Sequence, residues 1–186
     1  MQPPKIAFEG FTPKGLAVKL RYPVPDDVNA LWEYINQLST EQTFILFQGE
    51  KISIDDETAW LNDKLQSIAH KQSVMVLALY GLELIGVAEI DKLDHVKRHI
   101  GSLGISVAYN YRGRGVGELL MKIVIAEALL ELAGLKIITL EVFGNNSVAQ
   151  NLYGKLGFTE YGRIPGGIIH RDTPVDDVYM FRRCND

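Results

Sequence analysis

The segment that most constrains this chain runs Val107-Ala108-Tyr109-Asn110-Tyr111-Arg112-Gly113-Arg114-Gly115-Val116-Gly117-Glu118. A predicted strand enters three alternate glycines, and a helical period opens directly after them. The first N–H groups of a helix have no internal partner and lie at its positive end. Glycines allow a diphosphate to approach those N–H groups with no Cβ in the way. Arg112 and Arg114 add charge there, or face solvent. A dinucleotide-binding fingerprint counted from Gly113 and Gly115 requires glycine where Glu118 stands, and a P-loop requires Gly-Lys-Ser/Thr, which is missing. From the residues of this turn alone, a phosphate cradle and a plain glycine-rich turn both remain open.

The elements around the turn define a single domain over residues 1–186. The opening segment to Pro13 reads as irregular. Leu16–Arg21 alternates as a first strand, and Pro23-Val24-Pro25 ends it. Val28, Leu31, Trp32, Ile35 and Leu38 follow at helical spacing. Ser53 three residues before Asp56 resembles a capping box for a second helix, whose stripe is Leu61, Leu65 and Ile68. Val74–Tyr80 and Leu84–Ile90 are short apolar runs joined by a tight turn, which predicts a hairpin. Ile100–Ala108 is a third strand of this group. Val116, Leu119, Leu120, Ile123 and Leu130 then share a helical face, with Gly134 as the expected stop. Lys136–Phe143 is β-rich, Asn146–Leu156 helical with Gly157 at its end, and Phe158–Ile164 and Val178–Arg182 are late strands. The order predicts a mixed α/β (α+β) layered domain rather than a βαβ repeat.

Composition removes several classes of function. A net charge of -4 is a poor footprint for a nucleic-acid binder. The chain has one cysteine, Cys184, which excludes an intrachain disulfide and a cysteine-based zinc cluster. No apolar run reaches the ~18 residues of a membrane span, and no secretory leader is visible, so a cytoplasmic location is the expectation. His95, His99 and His170 form no metal-ligand spacing and are expected on the surface. A homodimer is the default for a chain of this kind.

The turn gains meaning from a second motif downstream. Arg112-Gly113-Arg114-Gly115-Val116-Gly117 resembles the GNAT acyltransferase motif: Gln or Arg, two residues, Gly, one residue, then Gly or Ala. About thirty residues later, Asn146-Ser147-Val148-Ala149-Gln150-Asn151-Leu152-Tyr153 and Leu156-Gly157-Phe158 resemble the second signature of that superfamily. The two occur in order between Ile100 and Phe158. The resemblance implies a GNAT fold: a central, mostly antiparallel mixed sheet of about seven strands flanked by about four helices. It implies acetyl-coenzyme A as cosubstrate, no metal, and an amine of a small molecule or peptide as acceptor. It also implies that Ile105, Ser106 and Val107 offer backbone to the pantetheine arm. Gly113, Arg114, Gly115, Val116, Gly117 and Glu118 would cradle the diphosphate, and Asn146 would contact the coenzyme near the next helix.

The chemistry narrows the catalytic candidates. A lysine-like amine with a pKa of about 10.4 costs about 4.6 kcal/mol to deprotonate at pH 7, whereas an α-amino group costs about 1 kcal/mol. The first needs a base or water relay, the second almost none. By the resemblance, Tyr153 protonates the leaving thiolate; by itself, it would be read as packing on its helix. Some members carry a glutamate in the strand before the glycine turn, but Ile100–Val107 has no carboxylate. Glu141 matches a strand glutamate used as base in some protein N-terminal members. A solvated strand residue is the other reading of Glu141, and Glu89 and Asp91 are alternative bases. The main-chain N–H of Val107 is a candidate donor to the thioester oxygen. Trp32, Trp60, Phe44 and Phe47 are candidates for the acceptor pocket or the core. N-acetyl transfer by direct attack is the leading reading, against a non-catalytic coenzyme A-binding module and an unrelated nucleotide-binding protein.

Overall fold

Strand Ser73–Tyr80 shows how the layers are built. Seven of its eight residues are buried, on both faces, so it needs cover above and below. Residues 3–184 are described by the computed structural model. In chain order they form β1 (Ile6–Phe11), β2 (Ala17–Arg21), α1 (Val28–Thr40), α2 (Ile54–Ala69), β3 (Ser73–Tyr80), β4 (Glu83–Lys92) and β5 (Ile100–Val107). Then come α3 (Val116–Glu131), β6 (Ile137–Phe143), α4 (Ser147–Lys155), β7 (Thr159–His170) and β8 (Thr173–Arg183). The eight strands lie in one sheet in the order β1-β2-β3-β4-β5-β6-β8-β7. Every neighbouring pair is antiparallel except β5 with β6, which is parallel.

The alternation along β3 and β4 sends two apolar sets to opposite sides. Val74, Val76, Ala78, Ala88 and Ile90 pack with Leu120, Met121, Val124 and Ala128 of α3. Met75, Leu77, Leu79 and Leu84 pack with Leu31, Tyr34 and Leu38 of α1 and Leu61 of α2. At ~25 cal/mol per Å² of apolar area removed from water, this double cover is the main stabilising contribution. It also fixes α3 firmly against the sheet. Gly86 is required by that closeness: a Cβ there would lie 2.8 Å from Leu120 Cδ1. Ser53 caps α2 as the sequence predicts, its Oγ accepting from the Asp56 N–H at 3.1 Å. Asp27 joins β2 to α1 by a two-pronged pair with Arg21 at 2.6 and 2.7 Å and by accepting the Val24 N–H at 2.8 Å.

Three expectations are corrected. The opening segment, whose first two residues lie outside the described residues, is not irregular to Pro13. It contains the edge strand β1, paired with β2 through a bulge between Ile6 and Phe8. An edge strand is covered on few sides, so its apolar pattern is weak, and Gly10 interrupts it further. With β1 included the sheet has eight strands, in keeping with the expected mostly antiparallel mixed sheet of about seven. The late strands are also longer than Phe158–Ile164 and Val178–Arg182. Pro165-Gly166-Gly167 reads as a turn, but a register shift between Ile164 and Ile168 absorbs it within β7. Finally, α3 ends at Glu131 with Leu132 as its cap, and Gly134 (φ +75) sits in the turn that follows.

Candidate active site

The site arises where two strands part. β5 and β6 pair only from Ile100↔Ile137 to Ser102↔Thr139. Beyond that, β6 stays with β8 along its whole length, from Ile137↔Arg183 to Phe143↔Asp177. β5 stays with β4 as far as Gly86↔Val107. The Ala108 N–H donates to Ile85 O at 3.0 Å. By antiparallel alternation, the N–H groups of Ser106 and Gly104 therefore point to β4, and those of Ile105 and Val107 point into the gap. The Val107 carbonyl accepts from Arg112 Nε at 2.9 Å, which leaves the Val107 N–H as the open polar group there.

A cavity of about 710 Å³ fills this gap. It is lined by Gly117 and Leu152 from the α3 and α4 side, and by Leu38, Thr43, Phe44 and Ile45 from the α1 side. It thus passes through the sheet from one face to the other. Of the sequence-derived coenzyme residues, Ile105, Ser106, Val107, Gly113, Gly115, Gly117, Glu118 and Asn146 line it. Arg114 and Val116 do not: the Arg114 guanidinium stacks on the Tyr111 ring at 5.6 Å, and Val116 is core at 2% exposure. Both contribute only main chain to the turn.

That main chain is arranged for an anion. Gly113 and Gly115 have φ of +71 and +81, which turn the backbone into α3. Among the described residues, no N–H from Gly113 to Glu118 has an acceptor; the first helical bond is Leu119 N–H to Gly115 O at 3.2 Å. Lys14 and Lys155 line the same cavity and supply positive charge. The turn between β1 and β2 holds the loop from behind: Thr12 Oγ1 donates to Arg114 O at 2.8 Å, and Lys14 Nζ donates to Gly113 O at 2.7 Å. These groups suit the diphosphate of a coenzyme A ester. Sequence reasoning missed Lys14, Asn151 and Lys155. Asn151 and Lys155 follow in the same helix as Asn146, whereas no local signal connects Lys14 to a loop so distant in sequence.

Tyr153 lines the cavity from α4 and is 8% exposed. Burial pushes its phenol up to about 12, so it stays protonated at neutral pH. Among the described residues its hydroxyl has no hydrogen-bond partner, whereas Tyr34 Oη is 3.0 Å from Ser106 Oγ. Asn146 caps α4 by accepting the Ala149 N–H at 3.2 Å, and Glu118 pairs with Lys122 at 2.5 Å.

Glu141 does not line this cavity. It lies between buried Leu140 and Val142 on β6 and points to the α1/α2 face of the sheet. Its carboxyl is raised above the ordinary value, by burial and then by Asp177. The two alternative bases are engaged elsewhere. Lys64 Nζ reaches Asp91 at 2.7 and 2.8 Å and Glu89 Oε2 at 2.9 Å. His95 and His99 are not buried, but His170 is, at 5% exposure, which corrects its expected surface position. Its Nδ1 accepts from Asn145 Nδ2 and its Nε2 donates to Gln42 O, both at 3.1 Å. Its ring packs on Phe44 and Phe143, so it fixes the loop after α1. Phe44 lines the cavity, whereas Trp32, Trp60 and Phe47 do not. Trp32 Nε1 instead donates to Ile52 O at 2.9 Å. Among the described residues no three His, Cys, Asp or Glu side chains gather as a metal site, and no helix is long and apolar enough to cross a membrane.

Known structures share this architecture. A GNAT-family acetyltransferase from Streptococcus pneumoniae superposes with a TM-score of 0.81 at 25% identity, covering 90% of this chain and 99% of that one. A ribosomal-protein-alanine N-acetyltransferase from Brucella melitensis gives 0.78 at 20% identity, covering 89% and 99%. An acetyltransferase from Salmonella typhimurium, solved with its cofactor acetyl-CoA, gives 0.78 at 18%, covering 91% and 95%. The latter two speak for the fold. Among proteins of curated function, none matches the sequence significantly. The family model described as the acetyltransferase (GNAT) family matches residues 32–158, well over half of the sequence, and so the chain belongs to that family.

Proposed function

We propose that the chain moves the acetyl group of acetyl-coenzyme A to a primary amine of a small molecule or protein, by direct attack in a ternary complex. The observation that carries this reading is the cavity through the sheet, with acceptor-free N–H groups of Gly113–Glu118 along it and the unpaired Tyr153 hydroxyl in its wall. The coenzyme would supply an activated thioester.

The protein's own groups divide the remaining work. Gly113–Glu118, Lys14 and Lys155 hold negative charge at the N-terminus of α3. The main chain of Ile105 and Val107 pairs with an extended arm in the gap, and the Val107 N–H stabilises negative charge on a carbonyl oxygen. Tyr153 holds a proton at its Oη and gives it to the leaving sulfur. Glu141 takes a proton from the amine, directly or through water, and its raised pKa brings it nearer to working pH.

A thiol-release screen over polyamines, amino acids, antibiotics and peptide N-termini tests the activity. Acetyl-coenzyme A should raise the melting temperature where ATP and NAD do not. Tyr153→Phe should lower kcat by ~10²–10⁴ with little change in coenzyme affinity. Tight coenzyme binding without turnover on any amine would instead identify a binding module.

A further inference from the structure

The face of the sheet beyond the gap carries two carboxylates that nothing in the fold neutralises. Glu141 of β6 stands opposite Tyr179 of β8, and Phe143 stands opposite Asp177. Glu141 and Asp177 are thus diagonal neighbours on one face, about 7 Å apart at their backbones. Asp177 is nine-tenths buried, at 9% exposure. Its Oδ2 accepts from Tyr179 Oη at 2.7 Å, which sets the carboxylate among these side chains. Its Oδ1 is buried and has no hydrogen-bond partner.

Among the described residues, no ion pair includes Glu141 or Asp177. On that side of the sheet, Lys64 is committed to Glu89 and Asp91. Tyr161 of β7 faces the same group, its ring 6.1 Å from that of Tyr179. Glu141 is exposed beside Asp177, and a buried carboxylate oxygen without a partner, next to a second carboxylate, is costly unless a cation completes it.

We infer that Glu141, Asp177 and Tyr179 form the acceptor's ammonium subsite, and that it selects primary amines with no carboxylate beside the reacting nitrogen. This inference rests on the acetyltransferase reading of the cavity, to which the group is joined through Phe143: it stands opposite Asp177 and packs at 5.7 Å on Phe44, which lines the cavity. An α-amino acid would bring its own carboxylate against two fixed negative charges. An alkyl amine, an amino sugar, a lysine side chain or a peptide N-terminus brings only the cation. Asp177 acts here as a specificity-determining residue, while Glu141 also receives the proton.

Matched pairs whose only amine differs by one α-carboxylate provide the test: 2-phenylethylamine against phenylalanine, and tyramine against tyrosine. Thiol release is measured with acetyl-coenzyme A, and binding of tyramine to the coenzyme A complex is measured by calorimetry. The carboxylate-free member should have kcat/KM at least ~tenfold higher. Asp177→Asn keeps the side-chain volume and an acceptor for Tyr179. It should raise the amine KM ~tenfold, lower kcat much less, and narrow the preference between pair members.

Equal or better use of the amino acids would overturn the inference, as would an Asp177→Asn variant with unchanged KM. So would a protein that binds acetyl-coenzyme A but neither binds tyramine nor releases thiol with any pair. Absence of acetyl-coenzyme A binding altogether would sink the transferase reading instead.

Discussion

The glycine turn makes a quantitative prediction that needs no acceptor. Gly113 and Gly115 both have positive φ, and an L-residue in that region costs ~1–2 kcal/mol. Their surroundings differ. A Cβ on Gly113 meets nothing within 4 Å, so Gly113→Ala should lose only the backbone strain. A Cβ on Gly115 would lie 3.2 Å from Pro13 Cδ and 3.4 Å from Thr12 Cβ, forcing back the turn that supports the loop. That overpacking adds ~1–3 kcal/mol. At ~2–4 °C per kcal/mol for a chain of this size, Gly113→Ala should melt about 5 °C lower and Gly115→Ala about 10 °C lower. Thermal unfolding by circular dichroism, without ligand, reads both. Thr12→Val is the companion variant. It removes the hydroxyl that donates to Arg114 O and should weaken acetyl-coenzyme A binding, although Thr12 does not line the cavity. Equal melting losses for the two glycine variants would refute the argument that β1–β2 packs behind the loop and positions it.

Other outcomes follow from packing and charge. Gly86→Ala places a Cβ 2.8 Å from Leu120 Cδ1 and 3.2 Å from Ser106 O, and should destabilise by ~1–3 kcal/mol in a denaturant titration. His170→Ala removes both polar ties and the aromatic packing of the loop after α1, and should speed hydrogen exchange at residues 41–52 while α3 exchanges as before. Hydrogen bonds from Lys5 and then Lys71 hold the Glu131 carboxyl down at about 2. Its stabilisation is therefore complete above its unfolded pKa of about 4.3 and lost as pH falls from there towards 2. Lys5→Met should lower stability at pH 7 and flatten the loss between pH 4 and pH 2, measured as melting temperature against pH.

The features legible in the sequence were those encoded locally. The unbroken apolar run of β3 announced a strand covered on both sides, and Ser53 with Asp56 announced the start of α2. The glycines after β5 announced a helix N-terminus free to take an anion. Features that depend on distant partners were not legible. β1 has too little cover to show a pattern, and Pro165-Gly166-Gly167 imitates a turn that the β7–β8 register overrides. Lys14 reaches the cavity only because its turn folds behind Gly113 and Gly115. The alternation at Leu140-Glu141-Val142 indicates that Glu141 leaves the core, but its meaning depends on Asp177 and Tyr179, which only the β6–β8 register brings beside it.

The two sides of the cavity differ in how firmly they are built, and this bears on what each can recognise. One wall is β5 and the N-terminus of α3, and α3 is locked by Leu120, Met121, Val124 and Ala128, all at 0% exposure. Donors on such a wall are preorganised, and charge placed there needs no rearrangement of the fold. That wall is where the proposed function places the coenzyme. The opposite side draws on the segments of the loop after α1 around Phe44 and Leu46, which are 39% and 87% exposed. Few core contacts hold these segments, so they can be re-sequenced or shifted at little cost to the fold. Specificity for an amine can change there while the phosphate cradle stays fixed. The same separation explains why the sequence motif marks the coenzyme side and is silent about the acceptor. The Glu141–Asp177 pair lies on the paired strands β6 and β8 rather than on these segments, so the proposed ammonium subsite would keep its geometry while they change.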